Sequence, residues 1–162
     1  TEVLLQSIAK QRKASLIRVS KDVTWQSLST GVMEQECLIN QKGITHNVKL
    51  PMIGDHQLEN AATAIATIGL LSENGWVIKG TAIKDGLAKM RWPGRMEVLS
   101  NNPIVLVDGA HNGDAANKLR DTINKYFIFE KAVLIVGLSS DKRSDEIATA
   151  LSPLASTVII TK

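Results

Sequence analysis

The chain has 162 residues, of which 44% are hydrophobic and 22% charged, and it carries a net charge of +3. These values are ordinary for a globular protein and leave room for one large domain or two small ones. The basic residues are scattered, so the basic face that nucleic-acid binding needs is missing. No apolar run reaches the roughly 18 residues of a membrane-spanning helix. We therefore expect a cytoplasmic protein with no nucleic-acid or membrane partner.

The single cysteine, Cys37, cannot form an internal disulfide, which fits a reducing compartment. It lies in an apolar run that reads as a strand. We predict that Cys37 is buried and inert, because a nucleophilic cysteine needs an activating base nearby.

The first part of the chain is predicted to contain a short helix, several strands and two longer helices. Apolar residues within 3–8 indicate a helix, and residues 15–19 alternate like a strand, whereas the segment that follows shows no clear pattern. Residues 36–41 and 45–50 read as two strands around a glycine, which predicts a hairpin.

Two helices should follow the hairpin. The first runs over residues 56–73 and closes at Asn74-Gly75. The second is predicted to be capped by Thr81. The apolar residues that we expect to face inward from these two helices recur at helical spacing. They are Leu58, Ala61, Ala62, Ile65, Ile68, Ile83, Leu87 and Met90.

Trp92-Pro93-Gly94 breaks the helical pattern and is predicted to be a domain junction. Beyond it the order is strand, helix, strand, helix, strand, which implies a parallel sheet with right-handed crossovers. The expected strands are 104–107, 133–136 and 158–160, with an added edge strand at 96–99. The helical residues expected to face inward are Ala116, Leu119, Ile123, Tyr126, Ile147, Ala148 and Leu151.

Asp108 directly follows the first of these strands, at the edge where open α/β sheets bind ligands. Its carboxylate could accept hydrogen bonds from two ribose hydroxyls, or it could simply accept from amides of the loop. Gly109 allows close approach to the backbone. Asn112 could cap the next helix, whose first amides favour an anion.

Four further residues are candidates for binding or catalysis. His111 could bind a carboxylate or move a proton, since histidine as a residue type titrates near neutrality, although histidines near helix starts are often structural. Asn60 points away from the apolar stripe, and its amide suits the edge of an adenine as well as it suits solvent. Arg95 could reach a phosphate or merely close a turn. Lys142 is a weaker candidate beyond another strand end.

Three motifs occur together and in a fixed order: His56-Gln57-x-x-Asn60-Ala61-Ala62, Pro93-Gly94-Arg95 and Asp108-Gly109-Ala110-His111-Asn112. In this combination the chain resembles the folylpolyglutamate synthase and dihydrofolate synthase family of the Mur ligase superfamily. The chain departs from the family pattern at Gly113, where a proline is usual, and at Arg143, where a second aspartate is frequent.

The resemblance implies an α/β fold with two parts. Residues 1–91 would be the back half of a P-loop-type ATPase domain with a small β-hairpin region. Residues 92–162 would be the first half of a Rossmann-like ligase domain. Both ends of the chain look cut, and no Gly-x-x-x-x-Gly-Lys-Ser/Thr phosphate loop occurs within it.

The resemblance also implies an ATP-dependent carboxylate–amine ligase that adds L-glutamate to a folate or dihydropteroate through an acyl phosphate. Asn60, Arg95 and Asp108 would bind ATP, and His111 would seat the glutamate as the catalytic contact. The chain itself supplies no metal ligands; magnesium ligands would lie before Thr1. We expect a monomer, and we expect the chain alone to be inactive. Two alternatives remain open: a Mur-type peptide ligase acting on a UDP-linked substrate, and a non-catalytic nucleotide-binding module.

Overall fold

The computed structural model describes residues 2–138 and 144–161, so Lys142 and Arg143 lie outside the described residues. It shows a mixed α/β fold, which confirms the predicted class. The helices are α1 (Glu2–Arg12), α2 (Asp55–Glu73), α3 (Gly80–Ala88), α4 (Gly113–Tyr126) and α5 (Ser144–Leu151), with a short 3-10 helix at Ser152–Leu154. The strands are β1 (Val23–Thr30), β2 (Gln35–Gln41), β3 (Ile44–Leu50), β4 (Glu97–Asn101), β5 (Ile104–Val107), β6 (Val133–Gly137) and β7 (Thr157–Thr161).

The first packing unit, residues 17–90, is an antiparallel sheet of β1, β2 and β3 covered by α2 and α3. The predicted hairpin is confirmed: β2 and β3 pair in register around Lys42 and Gly43, which both have positive φ. Cys37 is fully buried between sheet and helix, as predicted. Its pKa is raised by burial, which keeps it as an unreactive thiol.

Three predictions for this unit are wrong or incomplete. Residues 15–19 form no strand beyond an isolated bridge at Val19, and β1 lies instead in the segment where the sequence showed no pattern. The middle of β1 is polar and exposed, so hydrogen bonding to β2, rather than alternation, defines it. Thr81 does not cap α3, which begins at Gly80 after Lys79 without a side-chain cap.

Two buried glutamines on β2 attach the sheet to α2. The Gln35 Nε2 donates to the carbonyl of Gly54 at 3.1 Å, and the Gln41 Nε2 donates to the carbonyl of Ala66 at 3.3 Å. The Gln41 amide occupies the space where a side chain on Gly69 would stand. Because a buried amide without a partner is costly, these bonds fix the register between sheet and helix.

The second packing unit, residues 96–161, has α4 and α5 on one side of short strands. β6 and β7 are parallel, which confirms the predicted parallel pairing of these two strands, and β4 forms the expected additional strand. β5, however, pairs antiparallel with β4, and among the described strands it does not pair with β6. The tight turn between β4 and β5 makes this local pairing easier to form than a distant parallel one.

The core of the second unit is small, and one face of its strands is exposed. Its buried residues are Met96, Ala116, Leu119, Ile147, Ala150 and Leu151. Ala148, predicted to face inward, is exposed, and Ala150 takes the buried position. The helical stripe of α5 is therefore rotated relative to the prediction.

The two hydrophobic clusters share no residue, and polar side chains connect the units. The carboxylate of Asp55, at the start of α2, accepts hydrogen bonds from Lys125 Nζ at 2.8 Å and from the Tyr126 hydroxyl at 2.9 Å. Tyr126 is thus half-buried by a polar contact rather than by the core. The Lys125 ammonium, more than the Tyr126 hydroxyl, lowers the pKa of Asp55. In the described parts of the chain, none of the helices is long and apolar enough to cross a membrane.

Candidate functional site

The first element of the site is the turn that leads into α2. Gly54 has φ +113°, a conformation that side-chain-bearing residues rarely adopt. A Cβ there would lie 2.7 Å from the His56 ring and 3.0 Å from the Thr122 hydroxyl of α4. The His56 ring therefore folds back over the glycine and faces the second packing unit. His56 does not cap α2, because the helix begins one residue earlier, at Asp55, with Gly54 at the cap.

A chain of hydrogen bonds runs from His56 along α2. The Gln57 Nε2 lies 3.0 Å from the His56 Nε2, and the Asn60 Nδ2 donates to the Gln57 Oε1 at 3.1 Å. Gln57 is only 5% exposed, whereas Asn60 lies at the surface. Asn60 thus points away from the apolar stripe, as the helical spacing predicts, but its orientation is set by its neighbours.

The second element is the junction turn around Gly94, which has φ +71°. The Gly94 N–H donates to the Glu97 carboxylate at 2.8 Å, and the Gly94 carbonyl accepts from the Gly109 N–H at 2.7 Å. A Cβ on Gly109 would lie 3.4 Å from the Gly94 oxygen. The close approach that Gly109 allows is therefore to the junction turn itself, which fixes Arg95 beside the end of β5.

Asp108 holds this arrangement together. One carboxylate oxygen accepts from the Met96 N–H at 2.9 Å, and the other accepts from the Ala110 N–H at 2.8 Å. The structure thus shows the loop-amide contacts that the sequence left open. Each carboxylate oxygen has a second lone pair, so these contacts leave Asp108 able to accept from a ligand hydroxyl as well.

His111 and Asn112 occupy the loop before α4. The Asn112 side chain accepts from the Ala115 N–H at 2.8 Å, which confirms it as the helix cap. The His111 Nδ1 lies 3.0 Å from the Gly109 carbonyl, which can only accept, so Nδ1 carries the proton. The Nε2 of this exposed ring is the atom that remains for a ligand.

Gly113, where the family pattern has proline, begins α4 and is buried. A Cβ at this position would lie 2.7 Å from the Glu146 carboxylate of α5. The glycine therefore makes room for Glu146, and the two helices meet at this point.

The electrostatics of His56 show that the elements lie near one another. Burial, above all, lowers the pKa of His56 below its usual value, and the Lys118 ammonium of α4 lowers it further. Asp108 and Asp55 act in the opposite direction, and Arg95 has a smaller lowering effect. The lowered pKa favours the neutral imidazole of His56 at physiological pH.

Sequence reasoning missed three contributors. Gln57 belongs to the first motif, but the sequence analysis gives it no role. It lies three residues before Asn60 on a helix, and this spacing could have indicated the hydrogen bond between the two side chains. Glu97 and Lys118 carry no local signal, because each acts through contacts that only the fold creates.

A separate cavity of about 560 Å³ lies between α5 and the first two turns of α4. It is lined mainly by polar residues, among them Asp114, Asn117, Arg120 and Glu146. None of the predicted site residues lines it.

Comparison with known proteins gives a family match that covers the second unit. Residues 94–162 match the family described as "Mur ligase, glutamate ligase domain". The chain is 33% identical over 122 residues to folylpolyglutamate synthase of Lacticaseibacillus casei, covering 75% of this chain and 28% of the relative. It is also 33% identical over 121 residues to dihydrofolate synthase/folylpolyglutamate synthase of Mycobacterium tuberculosis, covering 74% of this chain and 25% of the relative.

Solved structures agree over nearly the whole chain. A folylpolyglutamate synthase complex with AMPPCP and folate superposes with a TM-score of 0.87 at 25% identity, covering 98% of this chain and 39% of that one. The Mycobacterium tuberculosis enzyme with ADP and AMPPCP gives a TM-score of 0.83 at 28% identity, covering 98% and 36%. The resemblance found in the sequence is confirmed, and the chain spans between a quarter and two-fifths of the length of the relatives described here.

Proposed function

We propose that this chain provides the nucleotide-contacting part of an ATP-dependent carboxylate–amine ligase that adds L-glutamate to a folate or dihydropteroate carboxylate. The relatives named above are folylpolyglutamate and dihydrofolate synthases, which favours a folate acceptor over a UDP-linked one. The observation that carries the proposal is the turn before α2, where Gly54 lies against the His56 ring and Thr122 of α4 and where His56 is within electrostatic reach of Asp108 and Arg95.

In this proposal each residue has a defined task. Asn60 contacts the adenine edge, Asp108 accepts from a ribose hydroxyl, and Arg95 neutralises phosphate charge. His111, through its free Nε2, holds the carboxylate of the incoming glutamate. Acyl-phosphate formation depends on positioning and charge neutralisation, so a rigid junction turn that fixes Arg95 suits the reaction.

The described residues contain no group of three or more His, Cys, Asp or Glu side chains that could hold a metal ion. We therefore assign this chain no step that uses the metal, and every role above belongs to its own side chains.

The test is glutamate incorporation by the intact ligase, with ATP and three acceptors: folate, dihydropteroate and a UDP-muramyl substrate. We expect incorporation with one or both folate acceptors only. Arg95→Ala should lower kcat/KM for ATP by roughly 10- to 150-fold, the loss of a charge-assisted hydrogen bond. His111→Ala should raise KM for glutamate.

Arg120→Ala is the matched control, since this arginine of α4 pairs with Asp121 at the surface. It should leave both parameters unchanged. Incorporation with the UDP-linked acceptor alone would contradict the proposal, as would glutamate saturation and turnover that do not respond to His111→Ala. The chain on its own should release no phosphate above a control without enzyme.

A further inference from the structure

We infer that His56 and Gln57 are positioning residues that fix the amide orientation of Asn60, and that this orientation selects a nucleotide base carrying an exocyclic amino group. The inference rests on the proposed function for the contact between Asn60 and a base. The hydrogen-bond chain itself stands on the geometry alone.

The direction of each hydrogen bond follows from the chemistry of the atoms. The Gln57 Nε2 is an amide nitrogen and can only donate, so the His56 Nε2, 3.0 Å away, must accept. The Gln57 Oε1 is then turned toward Asn60 and accepts from its Nδ2 at 3.1 Å. A neutral imidazole with its proton on Nδ1 thus fixes Gln57, and Gln57 fixes Asn60.

The consequence is that the exposed amide of Asn60 has a fixed orientation, with known positions for its oxygen and its nitrogen. The Asn60 Oδ1 accepts no hydrogen bond from the described residues, and the second Nδ2 proton is also unused. An outward acceptor beside an outward donor matches adenine, which donates from its N6 amino group and accepts at N7. Hypoxanthine presents a carbonyl oxygen where adenine has the amino group, so it would meet the Asn60 oxygen with an unpaired acceptor.

The orientation of the Asn60 amide can be reversed only if the His56 Nε2 carries a proton. If Nε2 donates, Gln57 must turn its oxygen to the ring and its nitrogen to Asn60, which then turns its own nitrogen outward. Protonation of His56 forces this reversed state. The groups that face His56 are Asp55 of α2, Asp108 after β5, Arg95 of the junction turn and Lys118 of α4. Burial and Lys118 outweigh the carboxylates and lower the pKa of His56, so the reversal belongs below the pH at which an ordinary histidine titrates.

The experiment compares ATP with ITP, which differ in this way at the base and share the same triphosphate. Dissociation constants of both nucleotides for the intact ligase are measured by calorimetry from about pH 7.5 downward, through the midpoint at which the His56 ring titrates in NMR spectra. The wild-type protein should prefer ATP by roughly 5- to 150-fold at the upper pH. The preference should fall as the pH drops through the pKa of His56. Titration of the phosphates cancels in the ratio.

Two variants and a control locate the effect. His56→Phe and Gln57→Met should each reduce the preference for ATP severalfold and make it independent of pH. The control is His46→Phe. His46 lies on β3, opposite Ile39 of β2, and its replacement should leave the preference for ATP and its pH dependence unchanged. In the nucleotide-free protein, the side-chain amide signals of Gln57 and Asn60 should titrate with the same midpoint as the His56 ring, and the Asn60 signals should lose this titration in His56→Phe.

The outcomes separate the two proposals. If the wild-type protein binds neither nucleotide, the proposed function is contradicted, while the amide titration still decides the inference about His56 and Gln57. If ATP binds and its preference over ITP survives His56→Phe with the pH dependence intact, the inference is overturned and the proposed function stands. Amide signals that do not follow the His56 titration would overturn the inference as well.

Discussion

The two packing units differ in how completely they bury their apolar residues. In the first unit Val23, Cys37, Ile39, Val48 and Leu50 are all fully buried. In the second unit the strand residues remain exposed, with Val133 at 60%, Ile135 at 68% and Ile160 at 82%. α2 and α3 bury one face of the first unit's sheet completely, whereas α4 and α5 leave the strand residues of β6 and β7 largely exposed.

This difference explains where the candidate site lies. Asn60 is carried by the helix of the well-packed unit, while Arg95, Asp108 and His111 are carried by loops of the less complete one. The two clusters share no residue, and hydrogen bonds such as that from Lys125 to Asp55 connect the units that carry these groups. The site therefore combines a rigid face with one held by hydrogen bonds.

The largest effect should come from removing core volume in the first unit. Ile39→Ala leaves a cavity at a fully buried position and should lower the free energy of unfolding by about 2–5 kcal/mol. The same change at Ile135, a strand residue of the second unit, should cost less than about 1 kcal/mol because that side chain is exposed. Urea denaturation followed by far-ultraviolet circular dichroism measures both, and equal losses would show that the units do not differ as described.

A smaller effect, with opposite signs, is expected at two glycines. Gly54→Ala forces a side chain into a positive-φ turn against His56 and Thr122, and should destabilise the fold by about 1–3 kcal/mol. Gly86→Ala, inside α3 with open space around it, should instead stabilise it by roughly 0.5–1 kcal/mol. Thermal denaturation of the two variants gives the signs, and a neutral Gly54→Ala would remove the argument for a constrained turn.

Much of the fold could be predicted because its signals are local. The period of apolar residues in α2 and the glycine between β2 and β3 are visible in the sequence, and both elements form as expected. β1 and the partner of β5 could not be predicted from the sequence. β1 is defined by its pairing with β2, and β5 pairs with β4 instead of with a parallel strand. Ala148 failed for a similar reason, because packing against α4, and not the period alone, sets the rotation of a short helix.

The smallest effect concerns the contact between the units. Asp55 and Lys125 are largely exposed, so their coupling in a double-mutant cycle of Asp55→Asn and Lys125→Met should be below about 1 kcal/mol and should weaken with salt. Since the pKa of Asp55 is lowered in the folded protein, this contribution is present above the ordinary carboxyl pKa of about 3.9. It should be lost as the pH falls through the lower pKa of the folded state. A coupling that persists in strong acid would exclude the ion pair as its source.

The candidate site was only partly predictable. The motifs named Asn60, Arg95, Asp108 and His111, and they also included the Asn112 cap that the structure shows. Glu97 and Lys118 could not be found from the sequence. Glu97 accepts a hydrogen bond from Gly94, and Lys118 affects the distant His56, and neither contact produces a pattern in the sequence. The domain boundary after residue 91, the monomeric state and the roles of the four site residues stay predictions.

The most direct test is a crystal structure of the intact ligase with a non-hydrolysable ATP analogue. We predict that the adenine amino group lies within hydrogen-bond distance, roughly 3 Å, of the Asn60 Oδ1. A ribose hydroxyl should lie equally close to Asp108, and the phosphates should lie toward Arg95. A nucleotide bound away from all three residues would contradict the account.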